Sequence, residues 1–168
     1  RDSMTMSVDT RPYVCTSRDE ARRFVRRAQS DGKRVGVVMT MGALHQGHLS
    51  LVDACTAQCD VCVVTVFVNP TQFGPGEDLA HYPRDLDQDL GRLAGHGVNL
   101  VFAPGAGEMY RPEHSTAVQP PAAAHRLEGS QRPGHFAGVA TIVLKLLNTV
   151  PADTAFFGQK DYQQCAVV

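Results

Sequence analysis

Two nearly continuous apolar runs constrain the fold of this chain more than any other feature. They are "RVGVVM" at residues 34–39 and "VCVVTVFV" at residues 61–68. Short, β-branched runs without alternation are expected of strands that are buried on both faces, which is the environment of a parallel sheet. Further runs at 98–103 and 154–158 complete a predicted set of four strands.

Segments with helical periodicity separate these runs. Helices are predicted over about residues 17–31, 48–59, 86–93 and 136–150. The first begins with Ser17 and Glu20 at the spacing of a capping box. Residues 104–134 are rich in Pro and Gly and lack periodicity, although 115–120 is compatible with a short strand. Strands that alternate with helices indicate an α/β fold with a parallel sheet.

The composition fits one globular domain. Its 168 residues are 43% hydrophobic and 20% charged, which excludes a disordered chain. A formal net charge of −1 provides no field that recruits nucleic acid or an anionic membrane. No apolar run is long enough to span a bilayer and no secretory signal is recognisable. We therefore expect a cytoplasmic protein whose residues 1–10 are disordered.

The five cysteines are better explained as small core residues than as a metal site. Cys55, Cys59 and Cys62 lie close together in sequence and suggest zinc. Cys55 and Cys59 are one helical turn apart, however, and Cys62 belongs to a predicted strand. No fourth ligand stands at a recognised spacing.

Three polar clusters follow three of the predicted strands. They are "TMGALHQGH" at 40–48, "NPTQFG" at 69–74 and "GQKDYQQ" at 158–164. An open parallel sheet binds its ligands at the carboxyl ends of its strands, where the strand order reverses. The coincidence of the three clusters therefore predicts a binding site at that edge.

The first cluster combines His45 and His48 with Gly42 and Gly47. The glycines would let the backbone approach a ligand, and free N–H groups of the following helix would point at the same place. Histidines at a helix N-terminus have a lowered pKa, so neutral rings could donate to a phosphate whose charge grows during reaction. Alone, the cluster indicates either a phosphate site or a tight structural turn, and a metal would need a third ligand.

The other two clusters offer amides and charges. Asn69 and Gln72 could bind hydroxyls and carboxylates through neutral amides, although Asn-Pro also favours a simple turn. Lys160 could supply a cation and Asp161 an acceptor for ribose, while Gln164 adds another amide. The alternative for this cluster is a solvated helix start.

Four stretches, taken in order, resemble signatures of the pantothenate synthetase (pantoate–β-alanine ligase) family. They are "TMGALHQGHLSLV", "FVNPTQFGPGEDLAHYPR", "RPGHFAGVATIVLKLLN" and "FFGQKDYQQ". The resemblance implies a Rossmann-like, doubly wound sheet of the nucleotidylyltransferase type. It implies an ATP-dependent ligase that joins pantoate to β-alanine through pantoyl adenylate, with Mg²⁺ accompanying ATP, and a possible homodimer.

The resemblance also implies roles for individual residues. His48, His45 and Lys160 would be catalytic, with His48 as proton donor, and Asp89 would be a weakly supported magnesium ligand. Pantoate or β-alanine would contact Gln72, Gln164 and Asn69. The residues expected to bind ATP are Met41, Gly42, Ala43, Leu44, His45, Gln46, Gly47, His48, Gly158, Gln159, Lys160 and Asp161.

Departures from the family pattern leave two alternatives open. Gln88 and Arg92 flank Asp89 where the family's acidic cluster is expected. The family's later phosphate loop and C-terminal lid domain are not found in residues 1–168, so we expect a single N-terminal nucleotide-binding domain with little or no turnover. The alternatives are another nucleotidylyltransferase on the same fold and a nucleotide-binding module without activity.

Overall fold

The computed structural model describes residues 11–74, 76–77 and 79–168. The predicted disorder of residues 1–10 lies outside this range. Five parallel strands form one sheet in the order β1-β4-β3-β2-β5. Their bounds are β1 Tyr13–Cys15, β2 Val35–Thr40, β3 Val61–Val66, β4 Leu100–Phe102 and β5 Thr154–Phe156.

Seven α-helices accompany the strands in the described part of the chain. They are α1 Arg18–Ser30, α2 Gln46–Gln58, α3 Leu86–Leu93, α4 Ala106–Met109, α5 Glu128–Gln131, α6 His135–Thr149 and α7 Tyr162–Val167. Short 3₁₀ turns occupy Pro70–Gln72, Ala122–His125 and Gln159–Asp161. None of the described helices is long and apolar enough to cross a membrane.

The hydrophobic core lies on both faces of the sheet, because successive strand side chains point to opposite sides. On one face, Val35 and Val37 belong to the cluster that includes the buried residues of α1 and α6. On the other face, Val38 belongs to the cluster that includes buried residues of α2 and α3. Helices therefore cover both faces, and the predicted α/β, doubly wound, Rossmann-like sheet is confirmed.

Three local predictions differ from the structure. The edge strand β1 was not predicted, because its three residues do not lie in a longer apolar run, whereas β4 lies within the run at 98–103 and β5 within that at 154–158. Residues 115–120 form no strand; the Val118 N–H donates instead to Oγ1 of Thr141 on α6, at 2.9 Å. Ser17 is the N-cap of α1 but makes no side-chain cap, and the Arg18 N–H donates to Oε1 of Glu108 at 2.8 Å.

Candidate active site

The carboxyl ends of β2 and β5 border the crevice of the sheet. From β2 the chain continues to β3 and β4 on one side, whereas β5 pairs with the opposite side of β2. Such a reversal of strand order is where open α/β sheets bind ligands. The loops that leave β2, β3 and β5 meet there, so the three polar clusters come together as expected.

A cavity of about 160 Å³ lies at this meeting point. Residues from all three loops line it, together with apolar residues that include Phe67 and four residues of α6. The lining residues that were predicted from sequence are Met41, His48, Asn69, Gln72, Asp161 and Gln164. A wider cleft of about 820 Å³ shares four of them and extends to Lys160 and Arg132. The two spaces together offer room for more than one small ligand.

Two histidines cap the N-terminus of α2 reciprocally. The helix begins at Gln46 with His45 as N-cap, slightly earlier than predicted. The Gly47 N–H donates to Nδ1 of His45 at 3.1 Å, and the His45 N–H donates to Nδ1 of His48 at 3.3 Å. The ring centroids are 4.1 Å apart. Because each Nδ1 accepts a hydrogen bond, a neutral ring carries its hydrogen on Nε2, which is left to donate to a ligand.

The surroundings of His48 favour its neutral form. Burial lowers the pKa of His48 below its ordinary value, and the neighbouring His45 and Lys160 lower it further. Asp89 and Asp161 act in the opposite direction without reversing the shift. His48 is therefore a neutral donor at neutral pH, as the sequence predicted, with burial as the main cause.

The backbone N–H groups of Gly42, Ala43 and Leu44, in the loop after β2, are engaged within the protein. The Gly42 N–H donates to Oγ1 of Thr40 at 3.2 Å. The N–H groups of Ala43 and Leu44 donate to the two carboxylate oxygens of Asp89, at 3.1 and 2.8 Å. Imidazole and Lys160 side chains, rather than this backbone, are thus the donors left for a phosphate.

The glycines of this loop make room for protein groups, whereas they were expected to admit a ligand. Gly42 has a φ of +83°, and a Cβ there would lie 2.9 Å from Oδ2 of Asp89. A Cβ on Gly47 would lie 2.9 Å from Cε1 of His45. Leu44 is only 3% exposed and packs in the core, so its side chain cannot line a nucleotide site. These contacts set the shape of the loop.

Asp89 is a scaffold residue in this geometry. It is 2% exposed, and each of its oxygens accepts a backbone N–H from the loop after β2. No group of three His, Cys, Asp or Glu side chains that could hold a metal occurs in the described part of the chain. The same finding gives no support to zinc at Cys55, Cys59 and Cys62. The assignment of Asp89 to magnesium stays a prediction.

Asn69 organises the second cluster from within. It is 1% exposed, and its Nδ2 donates to Oε1 of Gln72 and to the backbone oxygen of Gly138, both at 3.1 Å. Its Oδ1 accepts hydrogen bonds from Tyr110 at 2.7 Å and from Thr71. The amide of Asn69 is therefore fully used inside the protein. It positions Gln72 and has no free group for pantoate or β-alanine, although it lines the cavity.

Gln72 has the free donor capacity that Asn69 lacks. Its Oε1 is held by Asn69, and its Nε2 contacts the Met41 sulfur at 3.0 Å. Sulfur is a weak acceptor, so the Gln72 amide group can give a hydrogen to a better one. Gln164 faces the same cavity from the start of α7. Gln72 and Gln164 are thus brought together as predicted.

The turn after β5 contributes the charged side chains. Gln159, Lys160 and Asp161 are exposed on a 3₁₀ turn, and a Cβ on the preceding Gly158 would meet only Leu51, at 4.0 Å. Asp161 lines both the cavity and the cleft, whereas Lys160 lines only the cleft. Both influence the pKa of His48, so the loops after β2 and β5 face each other.

Comparison with known proteins gives the family. The family model described as Pantoate-beta-alanine ligase matches residues 13–168. The chain belongs to this family. Pantothenate synthetase from Rhizobium etli is 52% identical over 155 residues, which cover 92% of this chain and 52% of that protein. The protein of the same name from Rhodopirellula baltica is 53% identical over 156 residues, 91% of this chain and 55% of its own. The chain spans about half the length of these curated relatives.

Solved structures of the family share the fold. Pantothenate synthetase from Thermus thermophilus has a TM-score of 0.87 at 46% identity, over 93% of this chain and 55% of that chain. Pantoate-beta-alanine ligase from Francisella tularensis, complexed with beta-gamma ATP and beta-alanine, also has a TM-score of 0.87, at 37% identity. That match covers 93% of this chain and 60% of the Francisella chain.

Several residues of the cleft were not assigned from the family resemblance. Tyr82, Arg132 and His135 line the cleft beside Gln72. Arg132 and His135 stand in "RPGHF", a stretch that supports the family but that received no residue roles. A buried histidine directly after Pro-Gly at a helix start was the available signal, since a histidine in such a place needs hydrogen-bonding partners.

Proposed function

We propose that this protein condenses pantoate with β-alanine at the expense of ATP, through a pantoyl adenylate. The observation that carries the proposal is the cavity in which His48, Gln72, Asp161 and Gln164 meet. This cavity places a neutral imidazole donor near two amides, at the point where the strand order of a nucleotide-binding fold reverses. Membership in the family, and the ATP and β-alanine in the complex of its Francisella tularensis relative, support the same conclusion.

The first step activates a carboxylate. Oxide is a hopeless leaving group, so an amine cannot displace it directly. A carboxylate oxygen of pantoate attacks the α-phosphorus of ATP, the bond from that phosphorus to the bridging oxygen breaks, and pyrophosphate leaves. Charge grows on the phosphate oxygens during this step. A neutral His48 with its hydrogen on Nε2 and the Lys160 ammonium would stabilise that charge, which is the type of contribution that lowers such barriers most.

His45 would support this step chiefly through His48. Its own Nδ1 caps α2, and its backbone N–H fixes Nδ1 of His48. That hydrogen bond holds the neighbouring ring in one tautomer, so the donor is set before the nucleotide arrives. Preorganised donors contribute more than those that must reorient.

The amides would hold pantoate. Gln72 and Gln164 line one cavity that Val139 and Val143 also line. Pantoate has hydroxyl and carboxylate oxygens at one end and a branched, methyl-rich carbon in the middle. A pair of amides beside an apolar wall matches both parts. Asn69 would contribute by orienting Gln72.

The second step forms the amide. The neutral amine of β-alanine attacks the acyl carbon of the adenylate, AMP leaves with the bond electrons, and the amine nitrogen loses a proton. The cleft of about 820 Å³ adjoins the cavity and would admit β-alanine. Holding both reactants in adjoining spaces makes the attack effectively unimolecular.

Magnesium does not fit as an ion held by this chain. Asp89, the predicted ligand, uses both carboxylate oxygens for backbone N–H groups, and the described residues contain no metal-binding cluster. No step of the proposed chemistry passes through a protein-bound metal, and Mg²⁺ would enter with the triphosphate of the substrate.

Exchange of labelled pyrophosphate into ATP tests the proposal, because it reports the first step alone. We expect exchange that requires pantoate, needs no β-alanine and is absent with small phosphate esters or with carboxylates that lack the hydroxyls. AMP release should then require β-alanine. Exchange driven by a phosphate ester would assign a nucleotidylyltransferase activity instead. ATP binding without exchange for any acid would indicate a binding module.

A further inference from the structure

His135 is a buried histidine that the proposed chemistry does not use. It begins α6, is 9% exposed, and both of its ring nitrogens have partners. Nδ1 lies 2.9 Å from the backbone oxygen of Gln72, and Nε2 lies 3.2 Å from Nη1 of Arg132. A carbonyl only accepts and a guanidinium only donates. These two contacts pair a ring that donates from Nδ1 with a guanidinium that donates to Nε2, and Oε1 of Glu128 lies 3.9 Å from the same Nε2.

Arg132 is itself fixed in orientation. Its Nε and Nη2 donate to the two oxygens of Glu77 at 2.6 and 2.8 Å, and its Nη1 also donates to Oε1 of Glu128 at 2.7 Å. The first two contacts are the bidentate fork that holds a guanidinium plane most firmly. The Arg132 guanidinium holds the pKa of Glu77 down at about 2. The pair therefore stays ionised throughout the neutral range.

Gln72 is held by hydrogen bonds at both its backbone and its side chain. His135 holds its backbone oxygen, while Asn69 holds its side-chain oxygen. Within the described part of the chain, the side-chain amide hydrogens of Gln72 have the Met41 sulfur as their one acceptor. Two independent anchors on one residue, together with a weakly occupied donor, are what a preorganised binding group requires.

We propose that His135 is a positioning residue that sets the backbone of Gln72 so that its amide points at the substrate. Arg132 fixes the tautomer and the plane of the His135 ring, and Glu77 fixes Arg132. The proposal rests on the function given above only for the identity of the ligand, which is pantoate. The structural core of the proposal, the positioning of Gln72 by His135, does not depend on that function.

The side-chain amide signals of Gln72 in an ¹⁵N-labelled protein test the structural core without any ligand. We expect His135→Ala to shift and broaden them, and His135→Asn to restore most of the wild-type position, because Asn places an amide N–H near the site of Nδ1. His96→Asn is the matched control, since His96 makes its contact with Asp53, outside the residues that line the cavity and the cleft. Unchanged Gln72 signals in His135→Ala would overturn the proposal.

Titration with pantoate and with ATP then tests the functional consequence. We expect His135→Ala to weaken pantoate binding about tenfold, the size of one disturbed hydrogen bond, with ATP affinity changed less than about twofold. Glu77→Gln, which keeps the fold but loosens Arg132, should give a smaller loss of the same kind. Equal losses for pantoate and ATP would assign a merely structural role to His135. If wild-type protein binds no pantoate, the proposed function fails, and the Gln72 signals still decide on His135.

Discussion

Gly138 lies against Thr71 so closely that a Cβ built on the glycine would be 2.4 Å from the Thr71 backbone oxygen. The same Cβ would be 2.7 Å from the backbone nitrogen of Gln72. Both contacts are with backbone, which cannot swing aside as a flexible side chain can. The first turns of α6 therefore determine where the turn that carries Gln72 can lie, and only glycine permits the observed approach.

Replacing Gly138 by Ala should push α6 away from this turn. We expect a loss of about 1–3 kcal/mol in the free energy of unfolding, as for other overpacked sites, and weaker pantoate binding. Denaturant unfolding and calorimetric titration measure the two effects. Gly91→Ala in α3 is the control, because nothing lies within 4 Å of the added Cβ and alanine favours helix. A Gly138→Ala protein as stable as wild type would show that the helix can shift freely.

His48→Ala should lower the rate of adenylate formation by about 10²–10³, the usual cost of one transition-state donor. His48→Gln should retain part of the rate, because its amide nitrogen can donate from near the position of Nε2. Single-turnover pyrophosphate release measures this step. Rates within a few-fold of wild type in the alanine variant would remove His48 from the catalytic group.

The lowered pKa of His48 predicts a pH dependence of stability. The folded-state pKa lies below the ordinary value of 6.5, so the unfolded chain takes up a proton first as pH falls. The contribution of neutral His48 is complete above about pH 6.5 and is lost as pH falls through the lower folded-state value. The difference in unfolding free energy between wild type and His48→Gln should therefore shrink from about pH 7.5 to about pH 5. A difference that stays constant over this range would contradict the assignment.

Asp89→Asn separates a scaffold role from a metal role. Loss of the charge weakens the hydrogen bonds from Ala43 and Leu44, each worth about 1.5–3 kcal/mol when the acceptor is ionised. We expect the melting temperature to fall without any nucleotide or magnesium present. Asp87→Asn, on the same helix and exposed, is the control. A variant with unchanged melting temperature and a raised magnesium requirement would support the metal assignment.

Replacing Gln72 or Gln164 by Ala should weaken pantoate binding much more than ATP binding. Each lost amide leaves substrate oxygens unpaired, at a cost of roughly 1–3 kcal/mol. Calorimetric titration with each ligand measures the selectivity, and the exposed Gln58→Ala on α2 serves as control. Unchanged pantoate affinity in both variants would end the assignment of this cavity to pantoate.

The sheet and the meeting of the three loops could be predicted because long apolar runs and helical periodicity are local signals. The runs at 34–39 and 61–68 each correspond to an observed strand, β2 and β3. Strand β1 lies in no such run, and its position depends on pairing with β4, which is far away in sequence. No local pattern specifies such a strand.

The hydrogen bonds of the site could not be predicted from residue types. Asn69 was given a binding role as an amide of the second polar cluster, and Asp89 was given one through the family resemblance. Both are buried, Asn69 at 1% and Asp89 at 2% exposure, and both have backbone partners that support the scaffold, while their binding roles stay predictions. The sequence shows that a side-chain oxygen is present, but only the folded structure shows which N–H group donates to it. Residue types likewise could not show that a Cβ at Gly42 or Gly47 would meet Asp89 or His45.

The pairing of β2 on both of its sides, with β3 and with β5, has a consequence for how the protein folds. The partner β3 follows closely along the chain. Strand β5 comes much later in the sequence, and its Thr154 pairs with Gly36 of β2. Contacts between such distant residues form slowly, because a long loop must close first. A partly folded chain can therefore contain the cap that His45 and His48 form at α2 and still lack the cavity. Asp161 and Gln164 reach the cavity only when β5 pairs with β2. Any ligand that bridges the two loops acts on the final, long-range step and slows the detachment of β5 first.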